Sequence, residues 1–146
     1  MTIRRTALLA LAAAAAFVSS AASAAQLTVH KHPSCGCCAK WIEHVEKHGF
    51  TVKVIETEDM AAVKKRLGVP QALASCHTTQ VGGYFVEGHV PAADIKRLLA
   101  QKPKAAGIAV PGMPAGSPGM EMGGQKQPYS TLLVSKAGKP SIFARH

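Results

Sequence analysis

Three features common in other proteins are scarce or missing in this chain of 146 residues. Acidic residues are few, with eight Asp and Glu against 17 Lys and Arg. No paired-carboxylate, Ser-His-Asp or phosphate-loop signature occurs. Aromatic residues make up only 5% of the chain, and they do not interleave with basic residues as in nucleic-acid-binding surfaces. The sequence therefore carries no familiar hydrolase or nucleotide-binding signature, and we predict no nucleic-acid partner.

Long apolar runs are also lacking. The unbroken run at residues 7–18 is too short for a bilayer about 30 Å thick, which needs roughly 20 helical residues. It follows Arg4 and Arg5 and precedes Ala22-Ser23-Ala24. This order of basic head, short apolar segment and small-residue end is typical of a secretory signal peptide. We predict that residues 1–24 are a signal peptide, that residues 25–146 form one exported domain, and that the mature chain has no membrane span.

Apolar periodicity predicts the element order β-α-β-α-β-β-α, which is the thioredoxin-like arrangement of an α/β fold. Gly82-Gly83 predicts a tight hairpin turn, and residues 103–128, rich in Gly and Pro, predict a long Gly/Pro/Met loop without strands or helices. An added C-terminal hairpin follows. The predicted strands are 27–30, 51–55, 76–81, 84–87, 129–134 and 141–145; the helices are 38–48, a second that Thr57 caps and Gly68 ends, and a third that begins at Pro91.

Cysteines cluster where the first strand turns into the first helix. Cys35 and Cys38 have C-x-x-C spacing, which suits both disulfide exchange and metal binding. Cys37 favours metal, because a third sulfur competes in a dithiol exchanger but adds a ligand for a soft ion. Copper(I) is the first choice on ligand softness, and zinc, which usually takes four Cys or His ligands, is the runner-up. Three pairings of the four cysteines remain open.

Cys76 and His77 lie at the start of the predicted third strand. In a thioredoxin-like sheet that point faces the cysteines at the helix start, so we predict Cys76 as a fourth ligand with His77 beside it. The alternative is an inert buried cysteine that packs as a small hydrophobe. His44 and His48 have i,i+4 spacing, but they flank the core stripe and are expected on the surface.

Methionines are concentrated in the long loop. Met113, Met120 and Met122 are three of the four methionines that follow the predicted signal peptide. Thioether sulfur binds Cu(I) and, unlike a thiol, is not lost to disulfide formation in an oxidising compartment. We therefore predict that the three methionines support copper binding; the alternative is that they only pack the loop against the domain.

Four separated motifs resemble the CopG-type periplasmic metal-binding proteins of bacterial copper-resistance systems. The resemblance implies a thioredoxin-like fold, a periplasmic location and a Cu(I) site that can be multinuclear and can interconvert Cu(I) and Cu(II). Its implied partners are copper ions and other periplasmic copper-handling proteins, and whether it is a copper oxidoreductase stays open. The implied ligands are Cys35, Cys37, Cys38 and Cys76, with His77 and the methionine loop nearby. The motifs are His32–Cys38, Ser75–Thr78, Val86–Pro91 and Gly112–Glu121.

Two other functions remain as alternatives. The first is a periplasmic thiol–disulfide oxidoreductase, which only the C-x-x-C spacing specifically favours. The second is a disulfide-stabilised adaptor whose basic surface binds a partner.

Overall fold

A computed structural model describes residues 24–146, so the predicted signal peptide lies outside the described residues except for Ala24. A 3₁₀ turn, Gln71–Leu73, precedes the third strand. Strands and helices are β1 (Gln26–Lys31), α1 (Gly36–Lys47), β2 (Thr51–Glu56), α2 (Met60–Leu67), β3 (His77–Val81), β4 (Tyr84–Glu87), α3 (Ala92–Gln101), β5 (Gly107–Ala109), β6 (Ser130–Val134) and β7 (Pro140–Arg145).

All seven strands belong to one mixed sheet in the order β2-β1-β3-β4-β5-β6-β7. β1 pairs parallel with β2 and antiparallel with β3, and β3 pairs antiparallel with β4 through the Gly82-Gly83 turn. The elements from β1 to α3 thus have the predicted order, and the predicted α/β fold class is confirmed. In the part of the chain that is described, no helix is long and apolar enough to span a membrane.

The stretch predicted to lack strands and helices contains one strand. β5 pairs parallel with β4 and antiparallel with β6, so it joins the C-terminal hairpin to the main sheet. Gly107 makes this close pairing possible, because a Cβ at that position would lie 2.2 Å from the carbonyl oxygen of Phe85. A three-residue strand is too short to show an alternating pattern in the sequence, which is why the prediction missed it.

Helix α2 begins later than predicted. Its N-cap is Asp59, whose side chain accepts a hydrogen bond from Ala62 N at 2.9 Å. The predicted cap, Thr57, instead accepts a hydrogen bond from Asp59 N at 3.2 Å and forms the turn before the helix. Carboxylate and hydroxyl caps are close in preference, so sequence alone did not separate these two positions.

The core packs helices α1 and α3 against the sheet. On α1 the buried side chains are Cys38, Trp41 and Val45, as the helical spacing predicted. The Trp41 indole N–H donates to the carbonyl of Val90 at 2.9 Å, which fixes α1 to the segment between β4 and α3. This contact also holds the start of α1, where Cys35 is the N-cap residue and Cys37 and Cys38 lie in the first turn.

His44 on α1 supplies a cap for a different helix. Its Nε2 accepts a hydrogen bond at 3.1 Å from Ala92 N, the first backbone N–H of α3. His44 is therefore half-buried rather than on the surface as predicted, whereas His48 is exposed. Burial lowers the pKa of His44; the charges of His48 and Lys47 add to this effect and that of Glu121 opposes it.

Replacing His44 with alanine is expected to cost about 1 kcal/mol of unfolding free energy at pH 8, the usual cost of losing a helix cap. The folded state keeps the ring neutral, so its contribution is complete above the ordinary pKa of 6.5 and is lost as the pH falls through the lower folded value. Denaturant unfolding at pH 8 and pH 5 checks this, with Lys40→Ala, an exposed residue of the same helix, as control. A cost for His44→Ala that is equal at both pH values would contradict it.

Candidate metal centre

Helix α1 presents three cysteines at its start. Cys35 is the N-cap residue, Cys37 lies in the first turn, and Cys38 is fully buried beneath them. In this structure Cys35 and Cys38 form a disulfide, whereas Cys37 and Cys76 are free thiols. The C-x-x-C pair is thus the bonded pair in this structure, which leaves one free sulfur on the helix and one on the loop that precedes β3.

The fold brings all four cysteine sulfurs together. Their Sγ atoms lie within 4.8 Å of one another, with 3.6 Å between Cys35 and Cys37 and 3.9 Å between Cys37 and Cys76. A tetrahedral site with metal–sulfur bonds of about 2.3 Å holds its sulfurs about 3.8 Å apart. The spacing of Cys37 from Cys35 and from Cys76 therefore already suits shared coordination of one ion. Cys35 and Cys38 could serve as thiolate ligands only after their disulfide is reduced.

The Cys76 thiol holds its proton strongly. Burial raises its pKa to about 12, and the neighbouring Cys37 adds to the increase. Without a metal, Cys76 is therefore a neutral thiol at physiological pH. A soft metal ion that binds there displaces this proton, because only the thiolate is a good ligand.

His89 faces Cys76 from the other side. Its Nδ1 lies 2.7 Å from the carbonyl oxygen of Pro118, which can only accept, so Nδ1 carries the proton. The unprotonated Nε2 then points at Cys76 Sγ at 3.0 Å. Burial lowers the pKa of His89 and favours this neutral form, against the opposing effects of Pro118 and Glu121. Metal-binding histidines are usually fixed in this way, with the second ring nitrogen bonded to a carbonyl or carboxylate.

His77 completes a second group of possible ligands. Cys76, His77 and His89 offer ligand atoms within 4.8 Å of one another, and His77 Nδ1 lies 3.4 Å from Cys76 Sγ. The ring is fully buried against Trp41, and its Nε2 has no hydrogen-bond partner among the described residues. Burial lowers the pKa of His77 well below its ordinary value, and the charges of His89 and Lys64 lower it further.

The methionine loop lies against the start of α1. A Cβ at Gly119 would be 2.8 Å from Trp41 N and 3.2 Å from the carbonyl oxygen of Cys37, so the loop backbone touches the helix that carries the cysteines. Met113 and Met122 are 52% and 64% exposed, and Met120 is half-buried. The loop backbone therefore reaches the centre, while two of the three methionine side chains lie largely in solvent.

Sequence reasoning missed His89, because it favoured histidines adjacent to cysteines in the chain. His32, which precedes Cys35 by three residues, is exposed and accepts a hydrogen bond from Ser34 N. A signal for His89 was present in the hairpin. Thr78 pairs with Glu87 across the Gly82-Gly83 turn, and continuing this antiparallel register by two residues brings position 89 opposite Cys76.

Comparisons with known proteins identify a matching family and solved structures of the same fold. Residues 73–120 match the family described as a protein of unknown function, DUF411. A solved structure of the copper resistance protein copG in form 2 is 47% identical, with a TM-score of 0.81 over 84% of this chain and 98% of that one. The form 1 structure is 49% identical, with a TM-score of 0.79 over 83% and 96%. No curated protein sequence matches.

Proposed function

The chain belongs to the family of the copper resistance protein CopG, and from this we propose that it handles copper by binding Cu(I) with Cys35, Cys37, Cys38 and Cys76. The observation that carries the proposal is the convergence of four cysteine sulfurs within 4.8 Å. Soft thiolates select Cu(I) over hard cations. Because neighbouring sulfurs can bridge ions, we propose that the site holds more than one copper. Zinc is the second choice of metal.

Full loading requires reduction of the Cys35–Cys38 disulfide. A dithiol reductant would supply two electrons and two protons, giving two thiols on this protein and a disulfide on the reductant. Cu(I) would then replace the thiol protons, which pass to solvent. Until that step, Cys37 and Cys76 are the two thiols that can accept copper. Copper capacity is therefore expected to depend on the redox state of the protein.

We propose that His77 and His89 add nitrogen ligands to one side of the centre, beside the thiolate ligands. Imidazole nitrogen suits copper in both oxidation states, whereas thiolate favours Cu(I). His89 Nε2 and Cys76 Sγ lie 3.0 Å apart, close enough for both to serve one ion or two adjacent ions. A mixed nitrogen and sulfur position beside a thiolate cluster supports interconversion of Cu(I) and Cu(II), and with it a copper oxidoreductase activity.

Replacing Met113, Met120 and Met122 together with leucine is expected to weaken Cu(I) binding about threefold and to speed copper release without abolishing binding. Leucine keeps the bulk and removes only the sulfur donors, and the exposed thioethers of Met113 and Met122 are accessible to copper in solution. Chelator competition and stopped-flow transfer measure the two effects. An unchanged affinity and release rate would limit these methionines to packing.

Titration with Cu(I) tests the proposed function against its main alternative. Fully reduced protein competes with a chromophoric Cu(I) chelator, and the same preparation is assayed for reduction of insulin disulfides. We expect tight binding of at least one copper ion per chain with weak disulfide reductase activity. Robust insulin reduction by a protein that does not compete for copper would contradict the proposal.

A thiol–disulfide oxidoreductase is the second candidate, and the Cys35–Cys38 disulfide is the observation that favours it. In that function the Cys35 thiolate would attack a substrate disulfide, and Cys38 would resolve the mixed disulfide. Cys37 and Cys76 would then be bystanders, although their sulfurs lie in the same cluster. The copper function explains all four cysteines, so we prefer it.

We also propose export to the periplasm, where copper ions and other copper-handling proteins would be the partners. The signal-like order of residues 1–24 supports this location, and residues 25–146 would then form the mature domain. The intact mass of protein recovered from the periplasm tests the cleavage. A mass that still includes Arg4 and Arg5 would contradict it.

A further inference from the structure

A carboxylate with no exposed surface lies behind the loop that carries Cys76. Glu87 is the last residue of β4, and its side chain is fully buried. One carboxylate oxygen accepts hydrogen bonds from Ser75 N at 2.6 Å and from the Lys64 ammonium, which reaches it from α2. The other oxygen accepts a bond from the Thr78 hydroxyl at 2.6 Å. Four segments of the fold therefore meet at this one carboxylate.

An arrangement of this kind needs a reason other than stability. Burial raises the pKa of Glu87, and Lys64 and the other two donors act in the opposite direction. All three partners donate, which fits an ionised acceptor. Buried ion pairs contribute little net stability, and apolar side chains of similar volume often replace them at no cost. We therefore expect the main role of Glu87 to be the positioning of the residues that donate hydrogen bonds to it.

The two non-lysine donors lie on either side of the proposed ligands. Ser75 directly precedes Cys76, and Thr78 directly follows His77. β3 begins only at His77, so Ser75 and Cys76 lie outside the strand ladder. The Ser75 hydroxyl donates to the carbonyl of Gly112, which adds a contact from the methionine loop. Glu87 holds the backbone of Ser75, and the sulfur one residue further on lies 3.9 Å from Cys37 Sγ.

We propose that Glu87 is a positioning residue for the copper centre: its carboxylate fixes the Ser75–Thr78 segment so that the Cys76 thiol faces Cys37. Lys64 neutralises the buried charge and also donates to the Thr78 hydroxyl at 3.0 Å. This inference rests on the proposed function, because positioning matters for copper only if Cys76 binds it.

Two substitutions separate the reach of the side chain from its charge. Glu87→Gln keeps the length and can still accept from Ser75 N, but it removes the charge. Glu87→Asp keeps the charge but shortens the side chain by one methylene, so one carboxylate can no longer reach both Ser75 N and Thr78. We expect Glu87→Gln to bind Cu(I) within threefold of the parent, and Glu87→Asp to bind at least tenfold more weakly. The reverse order would assign the effect to charge and overturn the proposal.

Hydrogen exchange of the Ser75 amide gives a readout that does not depend on copper. In the metal-free protein its protection factor is expected to fall at least tenfold in Glu87→Asp and to persist in Glu87→Gln. Unchanged protection in Glu87→Asp would overturn the positioning role.

A control is Asp94→Asn on α3, another buried carboxylate, which accepts from Thr131 and contacts His146. We expect Asp94→Asn to lower stability but to leave Cu(I) affinity within threefold. If Asp94→Asn lost as much affinity as Glu87→Asp, the effect of Glu87→Asp would be explained by general destabilisation.

The variant Cys76→Ser separates failure of this inference from failure of the proposed function. If Cys76→Ser binds copper like the parent, Cys76 is no ligand and the proposed centre is wrong. If Cys76→Ser weakens binding and Glu87→Asp does not, the centre stands and the positioning role of Glu87 is refuted. Weak binding by both, with parent-like binding by Glu87→Gln, supports both.

Discussion

Replacing either Cys37 or Cys76 with serine is expected to lower the Cu(I) affinity of the reduced protein at least tenfold, which corresponds to about 1.4 kcal/mol. The two sulfurs lie 3.9 Å apart, one on α1 and one on the loop before β3, so each variant removes a donor from a different wall of the site. A serine hydroxyl fills the space but is too hard a ligand to replace thiolate for Cu(I). Competition against a chromophoric chelator measures the loss.

The control for these variants is Ser34→Ala, which changes an exposed hydroxyl beside the cluster and should leave affinity within twofold. The disulfide-exchange alternative makes the opposite forecast for Cys37→Ser. There Cys37 only competes with the exchanging pair, so insulin reduction should persist or improve. Parent-like copper binding by both cysteine variants, together with robust insulin reduction by the parent, would favour that alternative.

Gly119→Ala is expected to cost about 3 kcal/mol of unfolding free energy and to weaken copper binding as the loop leaves α1. Gly119 has φ +83°, where an L-residue is strained by about 1 kcal/mol or more. In addition, the new Cβ would lie 2.8 Å from Trp41 N, which is backbone of a packed helix and cannot yield cheaply. Denaturant unfolding and the copper titration measure the two effects.

Gly124→Ala is the matched control for this loop. Gly124 has φ +77°, but a Cβ there meets nothing within 4 Å. Only the backbone strain of about 1 kcal/mol is expected. The difference between the two variants therefore isolates the contact with α1. Equal costs would mean that the loop is not docked on the helix in solution.

The main sheet and its helices could be predicted because their signals are local. Helical spacing identified the buried face of α1, and Gly82-Gly83 marked the hairpin between β3 and β4. β5 had no such signal, since three residues show no period and its pairing depends on the close approach that Gly107 allows. The sheet extension through β5 is thus a consequence of packing between segments far apart in sequence.

The candidate site could also be predicted in part, because some of its signals are local in the sequence. Strand order alone brings Cys76 opposite the start of α1, and the structure places all four cysteine sulfurs together. Predicting His89 requires the antiparallel register of the hairpin to be extended two residues beyond the paired strands. The role proposed for Glu87 could not be predicted from the sequence, because it depends on the contact from Lys64 on α2. No spacing in the sequence indicates that contact. Ligand residues can be recognised in the sequence by their residue type, whereas residues that position the ligands are identified only from three-dimensional contacts.

Thiol counting with and without copper tests the central claim most directly. Fully reduced protein, with or without saturating Cu(I), is briefly alkylated with an excess of maleimide under denaturant-free conditions, and mass spectrometry counts the labels on each cysteine. Proposed binding at all four sulfurs predicts that copper strongly slows labelling of Cys35, Cys37, Cys38 and Cys76 together. Cys38 is buried even without metal, and the raised pKa of Cys76 keeps its thiol protonated and slow to react, so the comparison rests most firmly on Cys35 and Cys37. Copper-loaded protein in which Cys35 and Cys37 label as fast as in the metal-free protein would contradict it.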